Sequence, residues 1–356
     1  MVSLLAKISS LYPELIRQVW GIFKRRSLIN FAILFALGLS FSLLVTACNS
    51  PDGSTSSTSS NTTPSVQVQT LRVGYQKGAT VLNLLKTQGA LEKRLKSQDI
   101  SVEWSDFVAG PQMLEALNVG SIDFGLVGET PPIFAQAAGA PLVYVAYEPP
   151  SPAAEAILVQ KNSPIRSVAD LKGKTVALNK GSNVHYLLVR ALESAGLKYS
   201  DIKPAYLPPG DARAAFEQGS VDAWVIWDPF LAAAEKSIGA RILVDGKNLA
   251  KNRGFYLSTK AFSDQNPELL KILLEELQKV SDWAKSNPRD VAKFLNVQLG
   301  IDIPSLELAE TRRSYGVEPI NETVVADQQK IADTFFKLKL IPQEIKVVDS
   351  IWQSDR

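Results

Sequence analysis

From Leu71 onward, short apolar runs with strand-like alternation take turns with longer stretches of helical spacing. Leu71 to Tyr75 alternates as a strand, and Val81, Leu84, Leu85, Leu91 and Leu95 share one face of a helix between Thr80 and Lys96. Ile100 to Phe107 alternates again, Pro111 to Val119 reads as a helix closed by Gly120, and Ile122 to Val127 is a buried strand. Gly128-Glu-Thr-Pro-Pro132 then opens a helix, with Thr130 as N-cap and Pro131 at the first helical position. Pro141 to Tyr147 is a further strand, and it leads into the proline-rich stretch from Glu148 to Pro152.

A second round follows. Ala156 to Gln160, Thr175 to Leu178, Lys203 to Tyr206 and Val221 to Ile226 read as strands, with helices from Ser182, from Asp211 and after Asp228-Pro229. Strands alternating with helices over short connections predict an α/β protein with a parallel, doubly wound sheet in each of two lobes. Ala240 to Asp245 and Gly254 to Ser258 read as strands returning toward the first lobe. A helical tail begins at Pro267, with Leu269, Leu273, Leu277, Val280 and Ala284 on one face, and Pro288, Pro304 and Glu322 open further helices. The tail is expected to pack on the first lobe with Trp352 as an anchor. Lobe 1 then comprises residues 71–150 and 250–356, and lobe 2 residues 151–249.

The two rounds resemble each other in detail. Leu71 to Thr80 (Leu-Arg-Val-Gly-Tyr-Gln-Lys-Gly-Ala-Thr) is matched by Lys174 to Asn183 (Lys-Thr-Val-Ala-Leu-Asn-Lys-Gly-Ser-Asn). In each, an apolar strand runs into a polar residue, a lysine and a glycine before a helix, a construction that aims backbone N–H groups at an anion. Ligands of open α/β sheets sit beyond the carboxyl ends of the strands. That rule places four segments at a cleft: Gln76 to Thr80, Gly128 to Pro131, Lys180 to Asn183 and Trp227 to Pro229.

The candidate ligand-binding residues are therefore Gln76, Lys77, Gly78, Glu129, Thr130, Lys180, Gly181, Ser182, Asn183, His185, Trp227 and Asp228. Gln76, Thr130, Ser182 and Asn183 can add side-chain hydrogen bonds to an anion, and Lys77 and Lys180 stand at matching places in the two loops. Trp227, at a strand end, suits an apolar substituent, whereas Trp224 is assigned to the core. Glu129 and Asp228 also match each other; N-capping is the simpler role for them, because a carboxylate in the pocket repels an anion. His185 is the single histidine. It can donate to an oxyanion or merely line the lobe, and one imidazole leaves neither a serine–histidine–acid constellation nor a metal-site spacing. The Lys-Gly-Ala-Thr and Lys-Gly-Ser-Asn runs lack the spacing of a nucleotide phosphate loop.

Charge changes the picture only at the N-terminus. The whole chain of 356 residues carries a formal charge of +2, but residues 1–47 hold Lys7, Arg17, Lys24, Arg25 and Arg26 against Glu14 alone. The remainder is near neutral, which argues against a nucleic-acid partner. Lys24-Arg25-Arg26 precede an uncharged apolar run from Leu28 to Ala47, the layout of an export signal. The run ends in Val45-Thr-Ala-Cys48, which resembles a bacterial lipobox and makes Cys48, the single cysteine, the lipidation candidate. A run of this length also suits an uncleaved membrane anchor. Residues 1–47 are accordingly read as a signal peptide, and the Ser/Thr-rich residues 48–70 as a flexible tether.

Between Leu71 and Gln353 the chain resembles the aliphatic sulfonate-binding proteins, the extracytoplasmic solute receptors of sulfonate ABC importers. The resemblance is carried by Gly74-Tyr-Gln-Lys-Gly, Ala109-Gly-Pro-Gln-Met-Leu-Glu-Ala-Leu-Asn-Val-Gly-Ser-Ile-Asp, Pro131-Pro-Ile-Phe-Ala-Gln-Ala-Ala-Gly-Ala, Asp211-Ala-Arg-Ala-Ala-Phe, Val221-Asp-Ala-Trp and Ile226-Trp-Asp-Pro. It implies a type 2 periplasmic-binding-protein fold, two α/β lobes joined by a two-crossing hinge. It also implies a sulfonate head held near Gln76, Thr130, Ser182 and Asn183, with Trp227 beside the alkyl tail. Glu129 stands where the family commonly has Asp. The expected molecule is a lipid-anchored, monomeric solute receptor outside the cytoplasmic membrane, without cofactor, metal or catalysis. Its expected partners are an alkanesulfonate and the permease and ATPase subunits of an ABC transporter. Alternatives on the same fold are a receptor for taurine, nitrate or a thiamine-pyrimidine precursor, and, from another class, a single-turnover enzyme using His185.

Overall fold

The computed structural model describes residues 69–353. The export signal, Cys48 and most of the tether fall outside the described residues. Among the described residues no helix is long and apolar enough to cross a membrane.

The chain begins with β1 (Thr70–Gln76), and Gly89 in the left-handed conformation breaks the following helix into α1 (Thr80–Gln88) and α2 (Ala90–Leu95). Next come β2 (Ser101–Phe107), α3 (Gly110–Asn118), β3 (Phe124–Gly128), α4 (Pro131–Ala137) and β4 (Leu142–Tyr147). The chain then passes to a second sheet through β5 (Glu155–Val159), β6 (Thr175–Leu178), α5 (Asn183–Ser194), β7 (Lys203–Tyr206), α6 (Pro209–Glu217), β8 (Ala223–Trp227), α7 (Phe230–Ile238) and β9 (Arg241–Asp245). It returns with β10 (Gly254–Thr259) and finishes with α8 (Lys260–Gln265), α9 (Pro267–Ser286), α10 (Pro288–Leu299), α11 (Ile303–Arg312), β11 (Glu318–Pro319) and α12 (Glu322–Lys337).

The first sheet has the order β11-β4-β10-β3-β1-β2, and the second β7-β6-β8-β5-β9. Both are mixed rather than purely parallel. β10 lies antiparallel between β3 and β4, and β5 lies antiparallel between β8 and β9. The reason is topological: β5 and β10 are the strands by which the chain enters each sheet from the other, without the crossover helix that a parallel neighbour requires. β9, read from the sequence as returning toward the first lobe, remains in the second sheet beside β5.

Period-two alternation divides each sheet between two cores. In β4, Val143 and Val145 join a core with α1, α2 and α9, while Leu142 and Tyr144 face one built from α3, α4 and α12. In the second sheet Val176 and Val225 pack under α5, and Ala177 and the buried Trp224 pack with Phe216 and Leu231 on the other face. Each such apolar side chain contributes about 1.5–3 kcal/mol by leaving water. The tail helices bury Leu273, Leu277 and Phe335 against the first sheet, and the Trp352 N–H donates to Tyr144 O at 3.0 Å.

Candidate functional site

A cavity of about 120 Å3 lies between the two sheets, at the ends of β1, β3 and β8 and the start of α5. Its wall includes Gln76 and Gly78 after β1, Gly128 and Pro131 after β3, Ser182 and Asn183 at the head of α5, and Trp227 and Asp228 after β8. All four predicted segments thus reach the same space. Lys77, Glu129, Thr130, Lys180, Gly181 and His185 do not line it.

Several of the lining side chains are fixed by hydrogen bonds. Gln76 Nε2 donates to Leu126 O at 2.9 Å, and Asn83 Nδ2 donates to Gln76 O at 2.9 Å, which fixes the turn through Lys77 and Gly78. Ser182 occupies the N-cap position of α5, but its hydroxyl donates to Asn179 O at 2.7 Å and no side chain caps the helix. In that first turn the His185 N–H donates to Ser182 O at 2.9 Å, and no side chain caps the turn. Asn183 spans the sheets: its Oδ1 accepts the Thr130 N–H at 3.2 Å and its Nδ2 donates to Asn252 Oδ1 at 2.7 Å.

The loop lysines turn outward. Lys77 is exposed, and Lys180 Nζ stands 5.4 Å from the Tyr206 ring centroid. Positive charge enters instead from the returning strand and the tail, where Arg253 and Arg313 line the cavity. Arg313 Nη2 donates to Gly78 O at 2.9 Å, its Nη1 is 4.0 Å from Glu148, and its buried Nε lies 3.7 Å from Glu310. Burial raises the Glu148 carboxyl, with Arg313 and the Tyr256 hydroxyl pulling the other way. No local pattern in the sequence marks either arginine. Their nearest signal is position, at a strand start and at the end of a helix, more than a hundred residues from the loops after β1 and β3.

The matched acids have different employments. Asp228 Oδ1 accepts the Ala232 N–H at 3.0 Å in the first turn of α7, the capping role anticipated for it. It also meets Arg312 at 3.4 Å, whose other nitrogen reaches Glu235 at 2.6 Å. Burial pushes Asp228 up to about 6 despite Arg312. Glu129 caps no helix; its two oxygens accept the N–H groups of Asn252 and Arg253, each at 3.1 Å, and tie down the second crossing between sheets. Thr130 stands before Pro131 as expected, yet its hydroxyl bonds to nothing and caps nothing.

His185 sits outside the cavity among Phe134, Tyr199, Tyr206 and Phe335, with Nδ1 accepting the Gly181 N–H at 3.2 Å. Burial, helped by Lys180, holds it down at about 4, so the ring is neutral with its proton on Nε2. Nothing nucleophilic or basic faces the cavity from this ring, which removes the footing of the enzymatic reading. Among the described residues no three His, Cys, Asp or Glu side chains gather as a metal site.

Two α/β halves, each joined to the other by two chain crossings, with polar groups from both converging on one cleft, define a solute-binding protein. The chain belongs to the NMT1/THI5-like family, whose model matches residues 95–291, and within it to the aliphatic sulfonate-binding proteins. It is 48% identical over 286 residues to an aliphatic sulfonates-binding protein of Escherichia coli K12, covering 80% of this chain and 89% of that one. Its structure is similar to that of the periplasmic aliphatic sulphonate binding protein SsuA from Escherichia coli, with a TM-score of 0.75 and 46% identity over 81% of this chain and 93% of the other. It is similar also to the alkanesulfonate-binding protein SsuA from Xanthomonas axonopodis pv. citri bound to MOPS, with a TM-score of 0.78, 41% identity, and 81% and 99% coverage.

Proposed function

We propose that this protein is the solute receptor of an ABC importer for alkanesulfonates, capturing the ligand between its lobes and presenting it to the permease and ATPase subunits. The observation that carries the reading is the composition of the cavity wall, with Arg313 and the start of α5, which no side chain caps, on one cleft beside the Trp227 indole. A sulfonate spreads one charge over three oxygens, which suits a guanidinium and several N–H donors. An alkyl tail suits the indole. The relatives' names point the same way.

In this reading residues 71–150 and 250–356 form one lobe and residues 151–249 the other, and the ligand favours the arrangement in which they meet. Lys77, Lys180 and His185 contribute field and support rather than direct contact. Cys48 carries a lipid anchor after cleavage of residues 1–47, and the receptor works as a monomer on the outer face of the cytoplasmic membrane. Intact mass of membrane-extracted protein beginning at Cys48 tests the anchor.

The ligand class is tested by calorimetric titration of the full-length chain with methane-, butane- and octanesulfonate, taurine, sulfate and nitrate. Saturable one-to-one binding of the alkanesulfonates, with no heat from sulfate or nitrate, is the expected result. Binding of taurine or nitrate with silent alkanesulfonates would replace the substrate and keep the receptor.

A further inference from the structure

Asn252 stands on the second crossing with a backbone φ of 52°, in the left-handed region that residues other than glycine, asparagine and aspartate rarely enter. A residue held there by its surroundings points to a functional constraint. Its surroundings are specific. The Asn252 N–H donates to Glu129 Oε1 at 3.1 Å, and its carbonyl accepts the Ser151 N–H at 3.3 Å. Its Nδ2 donates to Ser151 O at 2.9 Å, and its Oδ1 accepts Asn183 Nδ2 at 2.7 Å. One residue thus ties the loop after β3, the first crossing at Ser151 and the head of α5 to the second crossing.

The two side-chain amides form a directed chain. The Thr130 N–H donates to Asn183 Oδ1, Asn183 Nδ2 to Asn252 Oδ1, and Asn252 Nδ2 to Ser151 O. A backbone N–H can only donate and a backbone carbonyl can only accept, so the two ends dictate which atom of each amide is nitrogen and which is oxygen. Neither amide can flip without breaking a bond on both sides. Both line the cleft, Asn183 beside Ser182 on a helix start that no side chain caps. An anion that meets this turn meets Asn183 with it. The amide nitrogen carries two N–H groups, and among the described residues Asn183 spends one of them, on Asn252.

We propose that Asn252 is a positioning residue for the anionic head group, holding the Asn183 amide with its remaining N–H, and not its carbonyl, turned to the ligand. The inference rests on the sulfonate reading. A donor fixed in advance costs the ligand no ordering. Released from Asn252, the Asn183 amide keeps only the Thr130 bond, and its presentation to the anion is no longer held. Asparagine meets both demands of the position. Glycine there would keep the left-handed backbone and lose the chain, whereas aspartate would set a carboxylate against Ser151 O.

The test is a double-mutant cycle, with octanesulfonate titrated calorimetrically into the full-length wild type, Asn252→Gly, Asn183→Ala and the double variant. Asn252→Gly is expected to weaken binding about tenfold on its own and less than twofold in the Asn183→Ala background, where nothing is left to position. Losses that multiply, or unchanged affinity in Asn252→Gly, overturn the proposal. A crystal structure of the wild type with octanesulfonate checks the same point without a variant. A sulfonate oxygen should lie within hydrogen-bond distance of Asn183 Nδ2, with no ligand atom bonded to the Asn252 amide. A ligand atom on that amide, or Asn183 meeting the ligand with Oδ1, overturns the proposal equally. A wild type that binds no sulfonate fails the sulfonate reading and this inference with it, whereas a wild type that binds while the losses multiply fails the inference alone.

Discussion

Asn183 Oδ1 accepts the backbone N–H of Thr130 at 3.2 Å, and this bond joins the head of α5 on the second sheet to the loop after β3 on the first. The space for it exists because residue 128 is glycine: a Cβ there would lie 1.9 Å from Asn183 Oδ1. Gly128→Ala is therefore expected to hold the two halves apart. In small-angle scattering the variant's radius of gyration should not fall when octanesulfonate is added, while the wild type's does. A ligand-induced contraction equal to wild type would show that the contact does not control approach of the halves.

Asn183→Ala removes the same bond with no clash. It leaves the buried Thr130 N–H unpaired, at a cost of about 1–3 kcal/mol, and it takes a polar group from the cavity wall. Sulfonate affinity should drop at least tenfold, while the loss of stability without ligand stays within about 1–3 kcal/mol. A large loss of stability and an unchanged Kd would reverse the assignment.

Arg312 reaches Asp228 and Glu235, with its own side chain 13% exposed and that of Asp228 1%. Arg312→Ala leaves a buried carboxylate without its cation, which costs on the order of 3 kcal/mol. Asp228 is held at about 6 with Arg312 present and should rise further without it. Protonation then relieves the penalty, so the stability gap between variant and wild type should be wide at pH 8 and narrow at pH 5. A gap that does not change with pH would exclude Asp228 as the group left exposed to the loss.

His185 gives the opposite slope. Its folded-state pKa is depressed from 6.5 to about 4, so between those values the unfolded chain binds a proton that the folded chain refuses. Stability is complete above about pH 6.5 and declines as pH falls toward 4, by roughly 3 kcal/mol in all. Buried Glu129, Glu148 and Asp228, raised by burial, act in the other sense, so the comparison must be with His185→Gln rather than across pH alone. The glutamine variant should lose this decline. Because the protein has one histidine, its NMR titration is unambiguous, and a midpoint near 6.5 would mean the ring is not sealed.

Trp227 should sort ligands by tail. Each methylene buried against it is worth about 0.8 kcal/mol. Trp227→Ala is expected to weaken octanesulfonate tenfold or more and methanesulfonate less than threefold. Equal losses for both would move the indole from the tail to the head group.

Much of this protein can be read along the chain, because strands and helices announce themselves by the spacing of their apolar residues. Leu71 to Gln76, Thr175 to Leu178 and Val221 to Trp227 carry that period, and glycine or proline marks where they stop. The strand-end rule then carries Gln76, Gly78, Ser182, Asn183 and Trp227 to one cavity without any knowledge of the structure. The sequence alone determined these things because each depends on neighbours within a few residues. The antiparallel placement of β5 and β10, the outward turn of Lys77 and Lys180, and the arrival of Arg253 and Arg313 at the cavity depend on packing between segments that are not neighbours along the chain. Those were decided only in the tertiary structure, where a buried guanidinium takes its place from carbonyl and carboxylate partners, such as Gly78 O and Glu148, that no local pattern brings near it.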